Sequence, residues 1–96
     1  MSWMIVSYRG GRTRDFVGEK RVKAFSGFER SAENKLAQLD SATALADLRR
    51  PGTRLEALKG NRKGQFSIRT NDQWRACFEW PAGSPGPVNV EIVDDH

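Results

Sequence analysis

The sequence predicts an α+β domain in which helices cover one face of an antiparallel sheet. Two stretches, 65–70 and 74–80, alternate apolar and polar residues and are separated by three polar residues, a pattern that indicates a β-hairpin. Over 25–39 the apolar residues recur at spacings of three and four, which indicates an amphipathic helix. Strand-like stretches at both ends complete the prediction of about four to five strands, with two to three helices on one face.

The first third of the chain is predicted to hold a strand and two helices. The apolar run 4–8 ends at a pair of glycines, as expected for a first strand. Thr13 is expected to cap a short helix that closes at Gly18. Ser26 and Glu29 fit the capping box that begins a main helix. The apolar stripe of that helix, expected to cover the hairpin, comprises Phe25, Phe28, Ala32, Leu36 and Leu39.

The rest of the chain is predicted to supply a short helix and the remaining strands. Ser41 is expected to cap a helix over 45–48, and a strand is expected over 54–58. Residues 59–64 form a basic loop that contains two glycines, and 88–93 make the last strand. With the helices on one side of the sheet, the other side is expected to stay open to solvent.

The hairpin loop, 71–73, determines which residues face each other. A loop of three residues sets Phe66 opposite Phe78, so that the apolar side chains of both strands share one face, whereas a loop of two would mix the faces. The same register sets Arg69 opposite Arg75 on the other face. Two arginines opposed across a ladder repel each other, and two interpretations stay open: an anion site, or two solvated side chains.

The charge around the hairpin favours an anionic partner. Residues 49–75 carry a net charge of +6, while the whole chain is at +4, so the remainder is at −2. Such a basic segment beside aromatic strand residues is typical of nucleic-acid binding. If both arginines are exposed, Arg75→Ala should change stability by no more than about 0.5 kcal/mol.

Length and composition limit the other possibilities. The 96 residues make a single domain, 1–96, and 38% apolar content is ordinary for a soluble protein. The apolar runs are too short to cross a membrane, and the N-terminal residues do not resemble a secretion signal, so a cytoplasmic location is expected. Cys77 is expected to be a buried filler. Metal-binding, P-loop and nucleophile-elbow motifs are absent from the sequence, so we expect no metal and no cofactor.

The single histidine, His96, follows Asp94 and Asp95 at the end of the chain. A strand over 88–93 would deliver it to the edge of the surface that carries the arginines, although strict alternation would place Asp95, rather than His96, on the arginine side. Cations and one proton-transfer group suffice to cleave RNA without a metal, because the substrate supplies its own 2′-OH nucleophile. The strand aromatics are expected to point inward, which favours chemistry or backbone binding over base stacking.

The chain resembles the HigB toxins, a branch of the RelE/ParE superfamily also called plasmid maintenance system killer proteins. The matching residues run through most of the chain: Met4 to Ser7, Lys35 to Leu39, Leu45 to Arg49, Arg54 to Arg62, Gly64-Gln65, Ser67 to Arg69, Asn71 to Arg75 and Val90 to Asp94. The resemblance implies a RelE-like fold. It also implies a toxin that cuts mRNA in the ribosomal A site and is held inactive by a HigA-like helix-turn-helix antitoxin, with DNA reached only through that antitoxin.

The resemblance also implies which residues act. The catalytic positions would be Lys59, Arg69, Arg75, Asp94 and His96, and the RNA-binding positions Arg54, Arg62 and Lys63. The sequence departs from the family pattern at Asp95, where tyrosine is usual, and at Phe66, where histidine is frequent. These departures leave an alternative: a weakened member that binds its antitoxin, an operator complex or the ribosome without cutting.

Overall fold

A computed structural model of the chain describes residues 5–50 and 52–94. Within these ranges, two α-helices precede a sheet of four strands. The elements are α1 (Gly11–Val17), α2 (Glu29–Ser41), β1 (Glu56–Ala57), β2 (Gln65–Arg69), β3 (Trp74–Glu79) and β4 (Val88–Asp94), with single 3₁₀ turns at Lys23–Phe25, Leu45–Leu48 and Gly60–Arg62. The predicted α+β class is confirmed. None of the described helices is both long and apolar enough to cross a bilayer.

The sheet is antiparallel throughout, and its strands lie in chain order from β1 to β4. Phe66 pairs with Phe78 and Arg69 pairs with Arg75, as the three-residue loop predicts. The Asn71 side-chain oxygen holds this loop by accepting the backbone N–H of Gln73 at 2.8 Å and that of Trp74 at 2.7 Å. The local chemistry of the turn therefore determines the register of the central hairpin.

One apolar core joins the helices to the sheet. Phe25 lies at its centre, in edge-to-face contact with Phe16 at 5.3 Å and with Trp74 at 5.5 Å between ring centroids. The predicted stripe is confirmed, since all five of its members are buried. The buried core residues are Ile5, Val22, Phe25, Phe28, Ala32, Leu36, Leu39, Ala42, Leu48, Ile68, Trp74, Ala76, Phe78, Val90 and Ile92.

The predicted first strand is wrong for the residues that the structure describes, 5–8; Met4 lies outside them. Instead, Tyr8 makes an isolated parallel bridge to Val90, whose backbone is hydrogen-bonded to those of Ser7 and Arg9 at 3.0 and 2.8 Å, and the N–H of Val6 donates to the Pro87 carbonyl at 2.8 Å. Asn89 has a left-handed backbone, with φ of 54°. That conformation interrupts the regular geometry of β4 where a ladder would have to continue.

The predicted starts of α1 and α2 are also wrong. α1 begins at Gly11, and Thr13 lies inside it, where its buried hydroxyl accepts the Ile92 N–H at 3.0 Å. α2 begins at Glu29, and Ser26 does not cap it. The preceding residue, Phe28, stacks on Trp74 with ring centroids 5.2 Å apart, so packing against the sheet places the start of this helix.

The segment between α2 and the sheet differs from prediction in two respects. Ser41 ends α2, donating its hydroxyl to the Gln38 carbonyl at 3.2 Å, and the carboxylate of Asp47 caps the 3₁₀ turn instead. The predicted strand 54–58 shortens to the two residues of β1. Arg54 has a left-handed φ of 54°, which stops the extended strand on that side.

Candidate functional site

The face of the sheet turned away from the helices is lined by polar and charged side chains. Strand alternation and the observed register place these residues in three rows. We call this surface the polar face, and its rows are Gln65 and Glu79, then Glu56, Ser67, Cys77 and Glu91, then Arg69, Arg75 and Val93.

Arg75 is the most enclosed cation of the polar face, with a side chain only 15% exposed. Its guanidinium donates to the Ser67 hydroxyl oxygen at 2.7 Å and to a Glu56 carboxylate oxygen at 3.1 Å. The expectation that Arg75 is exposed is therefore wrong, because its neighbours on the face enclose its side chain. A guanidinium held by these acceptors points in a defined direction, which is how a protein prepares an anion site.

Arg69, the cross-strand neighbour of Arg75, is held by the hairpin loop. Its Nε donates to the Asn71 carbonyl at 3.2 Å, and its terminal nitrogen pairs with the Asp72 carboxylate. The Asp72 side chain is 97% exposed, so this ion pair lies in solvent and contributes little stability. An incoming phosphate can displace Asp72 and keep Arg69 in the orientation set by Asn71.

The basic loop that follows β1 is built on a 3₁₀ turn. Gly60 and Gly64 adopt φ of 64° and 93°, which residues with a side chain rarely do. Arg62 donates to the Gln65 side chain at 3.1 Å and lies 3.8 Å from Glu91. Lys59 and Lys63 are exposed, and their side chains make no hydrogen bond or ion pair within the described part of the chain.

The other predicted site residues do not all lie on the polar face beside the arginine pair. Arg54 does not join the polar face but lines a pocket with Arg49 and Arg50. Asp94 ends β4 opposite Trp74 and accepts the Gln73 side-chain amide at 2.9 Å. Asp95 and His96 lie outside the described residues, so their roles stay predictions.

Sequence reasoning missed the two partners of Arg75. The alternation of β2 places Ser67 on the same face as Arg69 and could have identified it. Glu56 could not be found in this way, because seven residues, 58–64, separate β1 from β2 and leave their register undefined. The structure therefore adds a carboxylate to the site at contact distance from its most enclosed cation.

Comparison with known proteins gives consistent results. The family described as "RelE-like toxin of type II toxin-antitoxin system HigB" matches residues 13–96. Toxin HigB-1 of Vibrio cholerae serotype O1 is 49% identical over 59 residues, which are 60% of this chain and 62% of the relative. Endoribonuclease HigB of Proteus vulgaris is 34% identical over 58 residues, which are 60% of this chain and 63% of the relative. The match thus spans less than two thirds of either relative.

Proposed function

From the premise that this chain belongs to the HigB family of RelE-like toxins of type II toxin-antitoxin systems, we propose that it is an endoribonuclease that cuts mRNA in the ribosomal A site. Its inhibitor is a HigA-like antitoxin. The observation that carries the proposal is the pair of Arg69 and Arg75, adjacent across the ladder and each oriented by hydrogen bonds. The name of one relative, an endoribonuclease, supports it.

The proposed reaction uses the 2′-OH of the RNA as nucleophile. Its oxygen attacks the adjacent phosphorus, the bond from phosphorus to the 5′ oxygen breaks, and the products carry a 2′,3′-cyclic phosphate and a 5′-OH. Negative charge builds on the phosphorane oxygens during this step. Arg69 and Arg75 would neutralise that charge, with Lys59 contributing from the loop, because prepositioned cations stabilise a transition state more than its ground state.

Two groups are proposed for the proton transfers. His96 would protonate the leaving 5′ oxygen, and the charges of the neighbouring Asp94 and Asp95 would favour its protonated form. Glu56 would accept the 2′-OH proton, because its carboxylate touches Arg75, where the phosphate would bind. Glu56→Gln should therefore lower kcat while leaving KM unchanged or lower. An unchanged kcat would assign Glu56 a purely structural role.

The proposed role of the C-terminus is tested by two variants. Deleting His96 removes the acid and should slow cleavage by about 10² to 10⁴. Asp95→Tyr should speed cleavage, because we propose that the Asp95 carboxylate competes with phosphate for an arginine. Single-turnover cleavage assays measure both effects. If the deletion leaves the cleavage rate unchanged, or if Asp95→Tyr abolishes cleavage, the proposed role of the C-terminal residues is wrong. Catalysis would then depend on the cations without an acid from this segment.

A second candidate function is binding without cleavage. The observation that favours it is the occupation of both arginines by Glu56 and Asp72 in the free protein. Induction of this chain alone in a bacterial host, followed by mapping of mRNA ends, separates the two functions. The endonuclease should arrest growth and create new ends within codons, and Arg75→Ala should abolish both. The matched control is Arg30→Ala, since Arg30 is an exposed residue of α2.

A further inference from the structure

A basic pocket opens at the outer edge of the sheet, next to β1. It is a solvent-open concavity with a volume of about 520 Å³, within the usual range of ligand sites. Every charged residue of its lining is an arginine. We call it the edge pocket, and it is lined by Arg49, Arg50, Arg54, Leu55, Ala57 and Phe66.

The edge pocket is separate from the polar face. Ala57 and Phe66 pair across β1 and β2, and both point to the face opposite Glu56 and Ser67. The pocket and the Arg75 site are thus on opposite sides of the same edge strand. β1 lies two strand spacings from β3, or about 10 Å, so one strand of nucleic acid that crosses the edge could reach both sites.

Phe66 is the aromatic residue that lines this pocket, and it is partly exposed. One side of its ring packs on Phe78, with centroids 6.0 Å apart and planes inclined by 31°. Its cross-strand partner in β1 is Ala57, which offers only a methyl group, and Leu55 lines the same pocket. Phe66 points to the core face, as predicted, but at the edge of the sheet it stays half-buried.

The charges around this ring are not neutralised within the pocket. None of its lining residues is acidic. Outside the lining, the carboxylate of Asp47 accepts hydrogen bonds from the N–H and hydroxyl of Thr43 at 2.9 and 2.8 Å, and its charge offsets part of the charge of Arg50. Arg49 and Arg54 form no ion pair within the described part of the chain. Guanidinium groups bind phosphate in a two-pronged geometry, and an aromatic ring stacks with any base.

We propose that the edge pocket binds one unpaired nucleotide of RNA, with its base on Phe66 and the flanking phosphates on Arg49, Arg50 and Arg54. The inference rests on the proposed function and extends it, because it adds a binding site outside the cleavage site. RNA would cross the edge at β1, and the exposed cations of the basic loop, Lys59 and Lys63, lie beyond β1 in the chain. The nucleotide is held without being cut.

The test measures binding of a short 2′-O-methyl RNA, which cannot be cleaved because its nucleophile is blocked. Phe66→Leu keeps an apolar side chain against Phe78 but removes the stacking surface, and it should weaken binding roughly 5- to 150-fold at constant salt. Phe66→Trp should bind at least as tightly as the natural chain. Arg49→Ala and Arg54→Ala should each lower the salt slope of binding by about 0.7, while Arg30→Ala, on α2, should not.

Substituted RNAs locate the stacked base. A single abasic position should weaken binding to the natural chain as much as Phe66→Leu does, and should cause no further loss in Phe66→Leu. Unchanged affinity of a folded Phe66→Leu protein would overturn the proposal, as would failure of the natural chain to bind the oligonucleotide. Phe66→Leu that weakens only the antitoxin complex would also overturn it. If the chain binds RNA in a way that depends on Phe66 but does not cut it, the nucleotide-binding proposal is supported and the proposed endonuclease function is refuted.

Discussion

The two faces of the sheet both contain buried residues, but these residues are covered in different ways. Phe78 faces the helices and is 0% exposed, while its neighbour Cys77 faces the other way and is 2% exposed. Apolar residues from α1 and α2 cover the first face. On the second, Ser67 is 0% exposed beneath hydrogen-bonded Arg75. One face is therefore filled by apolar packing, and the other is ordered by hydrogen bonds and ion pairs that hold its arginines in defined orientations.

Substitutions at two neighbouring residues of β3, one on each face, should show the largest difference in the free energy of unfolding. Phe78→Ala should lower the free energy of unfolding by about 3–5 kcal/mol, because it leaves a cavity in the apolar core. Cys77→Ala removes one sulfur atom and should cost only about 1 kcal/mol. Urea unfolding of both variants measures this. Equal losses would mean that the two faces do not differ in their contribution to stability.

Removal of Arg75 should have an intermediate effect on stability. Arg75→Ala leaves the buried Ser67 hydroxyl without this partner, which should cost about 1–3 kcal/mol. This loss of stability exceeds the limit of about 0.5 kcal/mol that is expected when an exposed arginine is replaced. Adding Ser67→Ala to Arg75→Ala should recover part of the loss, because the buried polar group is then gone. Urea midpoints of the single and double variants test this, and additive losses would exclude the coupling.

The cations of the basic loop should differ in what they contribute to RNA binding. Lys59→Ala and Lys63→Ala should each reduce the salt slope of single-stranded RNA binding by about 0.7, since both side chains are exposed. Arg62→Ala should reduce it less, because Glu91, 3.8 Å away, already offsets its charge. Affinity measured across a salt series distinguishes them. Three equal slopes would show that the Glu91 contact is broken in the complex, and an unchanged slope in the triple alanine variant would place the RNA elsewhere.

The smallest expected effect lies away from both faces, at Asp47. Backbone and hydroxyl hydrogen bonds from Thr43 lower the pKa of its carboxyl below the ordinary 3.8. Such a group stabilises the fold at neutral pH, and that contribution is lost as the pH falls through its folded pKa. Asp47→Ala should therefore lower the thermal midpoint slightly at pH 7, with a difference that disappears in acid. A difference that persists below that pKa would assign the effect to packing.

The features predicted correctly depend on neighbours in the chain. Asn71 and the loop it holds determine the hairpin register, so the opposition of Arg69 and Arg75 could be predicted. The features missed depend on distant contacts. Stacking of Phe28 on Trp74 places the start of α2, and the left-handed Asn89 keeps residues 5–8 from forming a strand. Likewise, the contact of Glu56 with Arg75 depends on a pairing of β1 with β2 that no local pattern specifies.

The most direct test of the account is the cleavage of mRNA on purified ribosomes by this chain and by its Arg75→Ala variant. Arg30→Ala serves as the control, and thermal unfolding verifies that each protein is folded. The account predicts cleavage in the A-site codon, products ending in a 2′,3′-cyclic phosphate, and a rate about 10²- to 10³-fold lower for Arg75→Ala. A folded Arg75→Ala protein that cuts at the normal rate would contradict the assignment of catalysis to the polar face.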